Sequence, residues 1–388
     1  MTISFTLTLP QSKLFFVENL SQKAVLHITS YFAPDIGGVE QVASDIVDSL
    51  DQSCRHTILC FGKKAREDII REDGVRIVRV KRNLHIASQP ISFKYKKTLK
   101  RILKEINPDI IHFHFPSPFA ARYVIKCRTT QRLFVHWHSD IIKQKIIKKF
   151  FNGQTKKLLE AAEKIIVTSP NYINNSDFLP LYKNKCVVIP NIPKRFAVTE
   201  KNKQQAKSLR ADSGDKIRCL FVGRHVQYKG IKYLIEAAGH LGPNIMIYIA
   251  GIGPLTGKLQ KNAPSNVRFL GKLSENDLIN HMLACDIFTF PSITKNEAFG
   301  LALAEAMSFG LPSVTFTIPG SGVNYVSLDG VTGIQCENSN ACAFAAAINK
   351  LASSPVLRKT YGDNAKQRIE QSFSSEEFKK NILGLYSA

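Results

Sequence analysis

Short runs rich in β-branched and aromatic residues recur along the chain and alternate with longer segments whose apolar residues fall three and four apart. In the first half the runs are AVLHITS (24–30), HTILCF (56–61), VRIVRV (75–80), DIIHFHF (109–115), LFVHWHS (133–139), KIIVTS (164–169) and CVVIP (186–190). Between several of them lie VEQVASDIVDSL, KYKKTLKRILKEI and PFAARYVIKC, whose spacing is helical. Strands alternating with helices predict a mostly parallel sheet wrapped by helices on both faces.

The pattern breaks at NIPKRFAVTEKNKQQAKSLRADSGD (191–215), which is mostly polar and has room for one short helix, so it reads as a domain junction. Alternation then restarts with IRCLFVG (217–223), NIMIYIAG (244–251), NVRFLG (266–271), DIFTFPS (286–292), SVTF (313–316) and GIQC (333–336), and two helical segments close the chain near 355–371 and 375–386. The expected fold class is α/β, with two doubly wound domains in tandem. Ligands in such sheets bind beyond the carboxyl ends of the strands, so the strand-ending loops are where chemistry is to be sought.

Composition narrows the picture. At 388 residues the chain is long enough for two cores, and 44% hydrophobic with 22% charged residues describes a globular protein. No apolar run approaches the roughly 20 residues that span a bilayer. The first 23 residues lack the pattern of a signal peptide and read as an extension ahead of the first strand. Eight cysteines are scattered with no CxxC pair, mostly within apolar runs, which points to reduced core thiols and a cytosolic setting. The net charge is +22, of which +16 falls in residues 1–195. That asymmetry points to an anionic partner: nucleic acid, a phosphorylated substrate or an anionic membrane.

Four strand ends carry candidate chemistry. Gly37 and Gly38 follow the first strand in YFAPDIGGVE, where paired glycines let amides approach an anion at a helix start. A turn without a ligand explains them equally well, and the absence of GxGxxG speaks against a nicotinamide dinucleotide. In HWHSD, His136 and His138 share a face as a metal pair would, but no further ligand stands nearby at a familiar spacing, so no metal is expected. His138, at the strand's end, suits a donor or proton handler better; a satisfied core histidine is the alternative. In GRHVQYKG (223–230), Gly223 turns the chain, and Arg224 and Lys229 offer a fork and a point charge to a diphosphate. In NEAFGLALAEAM (296–307), Glu297 precedes an apolar helix and Glu305 lies within it. A helix with almost no polar face is buried nearly all round, so Glu305 needs a hydrogen-bonding partner, whether a ligand or an internal base.

Taken in order, the glycine-rich loop, the histidine, G-R-x4-K-G and E-x7-E resemble the retaining glycosyltransferases of family 4 over residues 24–388. WHSDI and IPGSGVNYVSLDGVTG further resemble members that build bacterial O-antigen and other surface polysaccharides. The resemblance implies the GT-B fold, two Rossmann-like domains facing each other across a cleft. It divides the chain into an extension (1–23), an acceptor-side domain (24–195), a linker (196–215), a nucleotide-sugar domain (216–372) and a last helix (373–388) packing back on the first domain. By the same resemblance Arg224 and Lys229 hold the donor diphosphate beside Gly223, and Gly37 and Gly38 close on the phosphates. Glu305 binds the ribose hydroxyls and Glu297 the sugar. The amides of Phe299, Gly300 and Leu301 reach sugar or phosphate, Leu270 and Gly271 line the base pocket, and His138 contacts the sugar near the reacting carbon. Asp140 is assigned to the acceptor. Retention in this family is usually described as front-face attack assisted by the leaving phosphate, with no enzyme nucleophile and no carboxylate pair of the glycosidase kind. The chain contains no D-x-D, in keeping with cations rather than a metal at the diphosphate, and no cofactor is expected. Departures are the missing glycine after Asn191 in VIPNIPKRF and the unmatched first 23 residues.

The expected partners are a nucleotide-diphosphate sugar, GDP-mannose-like first and UDP-linked second, and a lipid-linked or oligosaccharide acceptor. KYKKTLKRILKEI and IIKQKIIKKFFNGQTKKLL are basic and amphipathic. They suit the anionic cytoplasmic face of a membrane, although solvated helix faces explain them too. A nucleic-acid binder is disfavoured because the aromatics fall in core runs and the two glutamates stay unexplained. An epimerase or phosphorylase on the same plan, and a non-catalytic sugar-nucleotide binder, remain the alternatives.

Overall fold

All thirteen apolar runs form strands in the computed structural model, which describes residues 22–35, 37–50, 53–64, 66–70, 74–86, 89–140 and 145–388. The extension expected at 1–23 lies almost wholly outside the described residues, as does Ile141 of WHSDI. The first half contributes β1 (Lys23–Ile28), β2 (Cys54–Gly62), β3 (Arg66–Ile70), β4 (Arg76–Lys81), β5 (Leu84–Ile86), β6 (Gln89–Ile91), β7 (Ile110–Phe115), β8 (Arg132–Trp137), β9 (Lys164–Val167) and β10 (Cys186–Val188). The second contributes β11 (Ile217–Val222), β12 (Ile245–Ala250), β13 (Val267–Gly271), β14 (Ile287–Phe290), β15 (Ser313–Phe316) and β16 (Gly333–Cys336).

Among the described residues two large sheets result, in the orders β10-β9-β8-β7-β1-β2-β4-β3 and β13-β12-β11-β14-β15-β16, beside the two-stranded β5-β6. Within the two large sheets every pair is parallel except β3 with β4. Strands buried on both faces have no polar side to alternate with, which is why they read as continuous apolar runs. Each sheet reverses its winding beside its first strand, between β1 and β7 and between β11 and β14. Those reversals open crevices at the carboxyl ends, and the loops after β1 and β11 enter them.

Three strands were not foreseen. β3 (REDII) opens on three charges, and β5 and β6 are three residues each, pairing as a small hairpin. The stretch 196–215, expected as a linker, holds a twelve-residue helix, Glu200–Ala211, capped by Thr199 in a reciprocal box with Asn202. Its buried residues are only Asn202 and Ala206, so no apolar stripe announces it. Asn202 Nδ2 donates to Asn280 Oδ1 at 2.8 Å, docking the helix on the second half.

The chain ends in the helices Pro355–Ser372 and Ser375–Ser387. The last one returns to the first sheet, where Phe378, Ile382 and Tyr386 join the apolar cluster of Val25, Val42, Ile46, Ile110 and Phe134. Arg132 Nη1 donates to the Tyr386 carbonyl at 2.8 Å.

Candidate functional site

The loop after β11 passes through Gly223, whose amide bonds the Ala250 carbonyl at 3.1 Å. A single turn of 3-10 helix (Gln227–Lys229) follows, ending at Gly230 with φ +62°. A Cβ on Gly230 would lie 2.0 Å from the Pro291 carbonyl oxygen, so only glycine lets this loop approach the end of β14. That approach carries the Lys229 ammonium to Glu297, at 2.5 Å, with both side chains 11% exposed. Ser292 Oγ also donates to Glu297 Oε2 at 3.1 Å, and the lysine lies over the Phe290 ring at 4.8 Å. The two residues assigned separately to phosphate and sugar are thus one ion pair. Lys229 keeps donors and Glu297 keeps its other oxygen for a ligand. Arg224 is exposed and interacts across the cleft with Glu40 of the first domain, whose carboxyl burial pushes up.

The second element is the helix Leu301–Ser308. Gly300 starts it at φ +94°, and no side chain caps that end. Amides of the first turn are therefore left for an acceptor from outside, on the positive end of the helix. Leu303, Ala304, Ala306 and Met307 are buried, but Leu301, Ala302, Glu305 and Ser308 are half-buried. The expectation of burial nearly all round is corrected here: the half-open stripe is the cleft wall, at helical spacing. Leu301 Cδ1 lies 3.9 Å from where a Cβ on Gly38 would stand, so the glycine loop after β1 meets the Gly300 end across the cleft. Phe299 is a core residue, edge-on to Phe373 at 5.5 Å, leaving only its backbone for a ligand.

Glu305 accepts from the Lys194 backbone N–H and lies near Asp45 of the helix Gly38–Leu50. Burial raises its carboxyl from 4.5 to about 7, and Asp45 adds to the rise. Asp45 itself is pushed to about 6, mainly by burial. Neither Asp45, Glu40 nor Lys194 was singled out from the sequence, because each is defined by what the other domain brings to it.

Leu270 and Gly271 end β13, where the Gly271 carbonyl accepts from Gly251 N at 2.7 Å. Beside them His225 is buried, bonds Thr256 Oγ1 at 2.9 Å and stands edge-on to Phe269. Its position after the glycine turn of GRHVQYKG gave no distinguishing signal in sequence, since the flanking cations draw the reading.

Past the end of β8 stands Asp140, expected at the acceptor. Its side chain is 0% exposed, and each oxygen already receives two donors. Oδ1 accepts from Trp137 Nε1 (3.1 Å) and Ser176 Oγ (2.7 Å), and Oδ2 from Asp177 N (3.1 Å) and Lys295 Nζ (2.7 Å). Lys295 comes from the loop just before Glu297, so the pair clasps the two domains together. Thr168 Oγ1 to the Ala298 carbonyl, at 3.3 Å, is a second strut. The clasp sets the end of β8, with His138, against the Glu297 loop. His138 is 7% exposed and burial lowers its pKa to about 3, so it is neutral.

His136 also has histidine neighbours that no local spacing shows, in a group that does not include His138. His112, His114 and His136 each bring one ring nitrogen to within 4.8 Å of the others, contributed by neighbouring strands rather than by local spacing. No carboxylate or thiolate belongs to this group, and five of its six ring nitrogens lie within bonding reach of another ring or a hydroxyl, while His136 Nε2 is buried with no hydrogen-bonding partner among the described residues.

Residues 36–192 match the family model described as Glycosyltransferase Family 4, and residues 201–368 match Glycosyl transferases group 1. The chain is 31% identical to the O-antigen chain mannosyltransferase C of Escherichia coli, covering 94% of this chain and 98% of that protein. It is 29% identical to the D-rhamnosyltransferase WbpZ of Pseudomonas aeruginosa, covering 90% and 92%. Among solved structures, a sucrose-phosphate synthase from Thermosynechococcus elongatus superposes with a TM-score of 0.77 at 19% identity, over 94% of this chain and 98% of that one. Anabaena Alr3699/HepE in complex with UDP does so with 0.75 at 18%, over 94% and 99%. The fold is therefore GT-B, and the chain belongs to the family 4, group 1 glycosyltransferases.

Proposed function

We propose that the enzyme moves a hexose from a nucleotide-diphosphate sugar to a growing, lipid-linked bacterial surface polysaccharide such as O-antigen, with retention at the anomeric carbon. A GDP-mannose-like donor is the first choice and a UDP-sugar the second. The names of the two full-length relatives support the polysaccharide and the mannose-like sugar. The observation that carries the donor reading is the convergence of the Lys229–Glu297 pair and the uncapped Gly300 helix start at one strand edge, opposite Gly38.

In this reading Arg224 and Lys229 neutralise the charge that develops on the departing diphosphate, aided by the Leu301 and Ala302 amides. Glu305 accepts the ribose hydroxyls, Glu297 orients the sugar, and neutral His138 bonds a sugar hydroxyl. The acceptor oxygen attacks the anomeric carbon from the face the diphosphate leaves. The bond to the phosphate oxygen breaks, and the hydroxyl proton passes to that oxygen. The chemistry needs neither metal nor other cofactor.

The lipid-linked acceptor suits a membrane surface. Among the described residues no helix is long and apolar enough to cross a membrane. The helix Tyr95–Ile106 presents Lys96, Lys97, Lys100 and Lys104 to solvent, and Lys156 and Lys157 are exposed on Lys145–Ala161. The side chains of Lys145, Lys148 and Lys149 lie outside the described residues. Beside the first helix, Leu84, Ile86 and Phe93 are exposed at 47%, 51% and 75%, an apolar complement the sequence did not announce. Lysines over apolar side chains favour peripheral attachment to the cytoplasmic leaflet.

The test is a thermal-shift panel of UDP-, GDP-, dTDP- and ADP-sugars, followed by mass spectrometry of a labelled polyprenyl-diphosphate oligosaccharide. A stabilising donor and an acceptor heavier by one hexose are expected. An isomerised donor without transfer, or binding without any product, would overturn the reading.

A further inference from the structure

Six histidines lie on one face of four adjacent strands of the first sheet: His56 on β2, His27 on β1, His112 and His114 on β7, and His136 and His138 at the end of β8. Their register explains this. His27 is paired with His112, His114 with His136, and Val25, two residues from His27, with His56. All six are buried.

Four of them form an unbroken line. His56 Nδ1 is 3.0 Å from His27 Nε2, His27 Nδ1 is 3.4 Å from His114 Nε2, and His114 Nδ1 is 3.0 Å from His138 Nε2. A neutral imidazole has one N–H and one lone pair, so each inner ring donates to one neighbour and accepts from the other. Only two arrangements satisfy the whole line, with every proton pointing towards His138 or every proton pointing away. Burial holds His27 and His114 far below their usual pKa, so neither inner ring is an imidazolium that would break the pattern.

The ends differ. His56 lines a recess of about 430 Å³ at the amino edge of the sheet, with Arg55, Arg76 and Glu105. His138 stands past the carboxyl end of β8, with Nε2 turned inward to His114. Only Nδ1 is left for the cleft, and the direction of the line decides whether that atom is an N–H or a lone pair.

We infer that His56, His27 and His114 form a hydrogen-bonded relay that fixes the tautomer of His138, and with it whether Nδ1 meets the donor sugar as a donor or an acceptor. The three are positioning residues, and their effect on transfer rests on the proposed role of His138. The relay itself does not, since it exists without substrate. It also explains how a neutral, buried histidine is held in one state where no carboxylate orients it.

The experiment is long-range proton–nitrogen NMR of the full chain labelled with 15N-histidine, His138 being assigned through His138→Gln. Wild type is expected to show His138 as one tautomer, with one pyrrole-type and one pyridine-type ring nitrogen. His27→Phe, which leaves the His114–His138 contact intact, is expected to give mixed tautomers at His138. Its kcat falls about twofold for an even mixture, in proportion to the population lost, with KM for donor unchanged. His27→Gln, which can still donate and accept, restores the single tautomer. Mixed tautomers in wild type overturn the relay whatever the variants do, and so does an unchanged His138 spectrum in folded His27→Phe. One equivalent of metal per chain, with histidine signals that change on chelation, overturns it in favour of a centre at His112, His114 and His136. If the tautomer responds as expected while His138→Gln transfers sugar at the wild-type rate, the relay stands and the role given to His138 fails.

Discussion

Glu305→Gln is expected to stabilise the ligand-free protein while weakening donor binding. Burial near Asp45 raises the Glu305 carboxyl from 4.5 to about 7. At about 1.4 kcal/mol per pKa unit, that is about 3 kcal/mol against the ionised form in the folded chain. The folded-state value lies above the unfolded one, so the protonated group is the stabilising form. Its contribution is complete below 4.5 and is lost as pH rises to about 7. Glutamine keeps an acceptor for the Lys194 amide and carries no charge to desolvate. Urea denaturation at several pH values should therefore show the variant more stable than wild type by up to about 3 kcal/mol near pH 8, the two converging towards pH 4.5. Donor affinity should fall at least about tenfold, since hydrogen bonds to a charged acceptor contribute about 1.5–3 kcal/mol. A stability difference that is absent, reversed or independent of pH would refute the electrostatic account. Unchanged donor affinity would refute the ribose assignment.

Three further outcomes follow from named contacts. Lys229→Met leaves the Glu297 carboxylate buried without its cation and should cost about 3–5 kcal/mol of stability. Adding Glu297→Gln should recover most of that stability but not transfer, and recovery of transfer would show the pair to be structural only. Lys295→Ala removes the cation from fully buried Asp140; it should raise the radius of gyration in small-angle scattering and the KM for donor, and an unchanged radius would show that the clasp does not hold the domains. Replacing Lys96, Lys97, Lys100 and Lys104 by serine should lower binding to anionic vesicles by more than about a hundredfold, at about 1 kcal/mol per lysine near the surface. Unchanged co-sedimentation would remove that face from the membrane reading.

The sequence by itself determined thirteen of the sixteen described strands, the order of the two halves and the loops on which the proposed donor chemistry rests. These are local properties: a strand buried on both faces must be an apolar run, and a loop meeting a diphosphate must set glycine and cations within a few residues, as GRHVQYKG does. Only the tertiary structure decided what those groups meet. Lys229 and Glu297 become one ion pair because Gly230 lets two loops touch, and the Glu305 carboxyl is raised by burial, with Asp45 of the other domain adding to the rise. Asp140, assigned to the acceptor by resemblance, has both oxygens filled once Trp137, Ser176, Asp177 and Lys295 fold around it. The histidine line is the clearest case, since His27 and His114 stand 87 positions apart and meet only through parallel strand register. Register depends on the packing of whole strands, and a one-residue slip would send each imidazole to the opposite face.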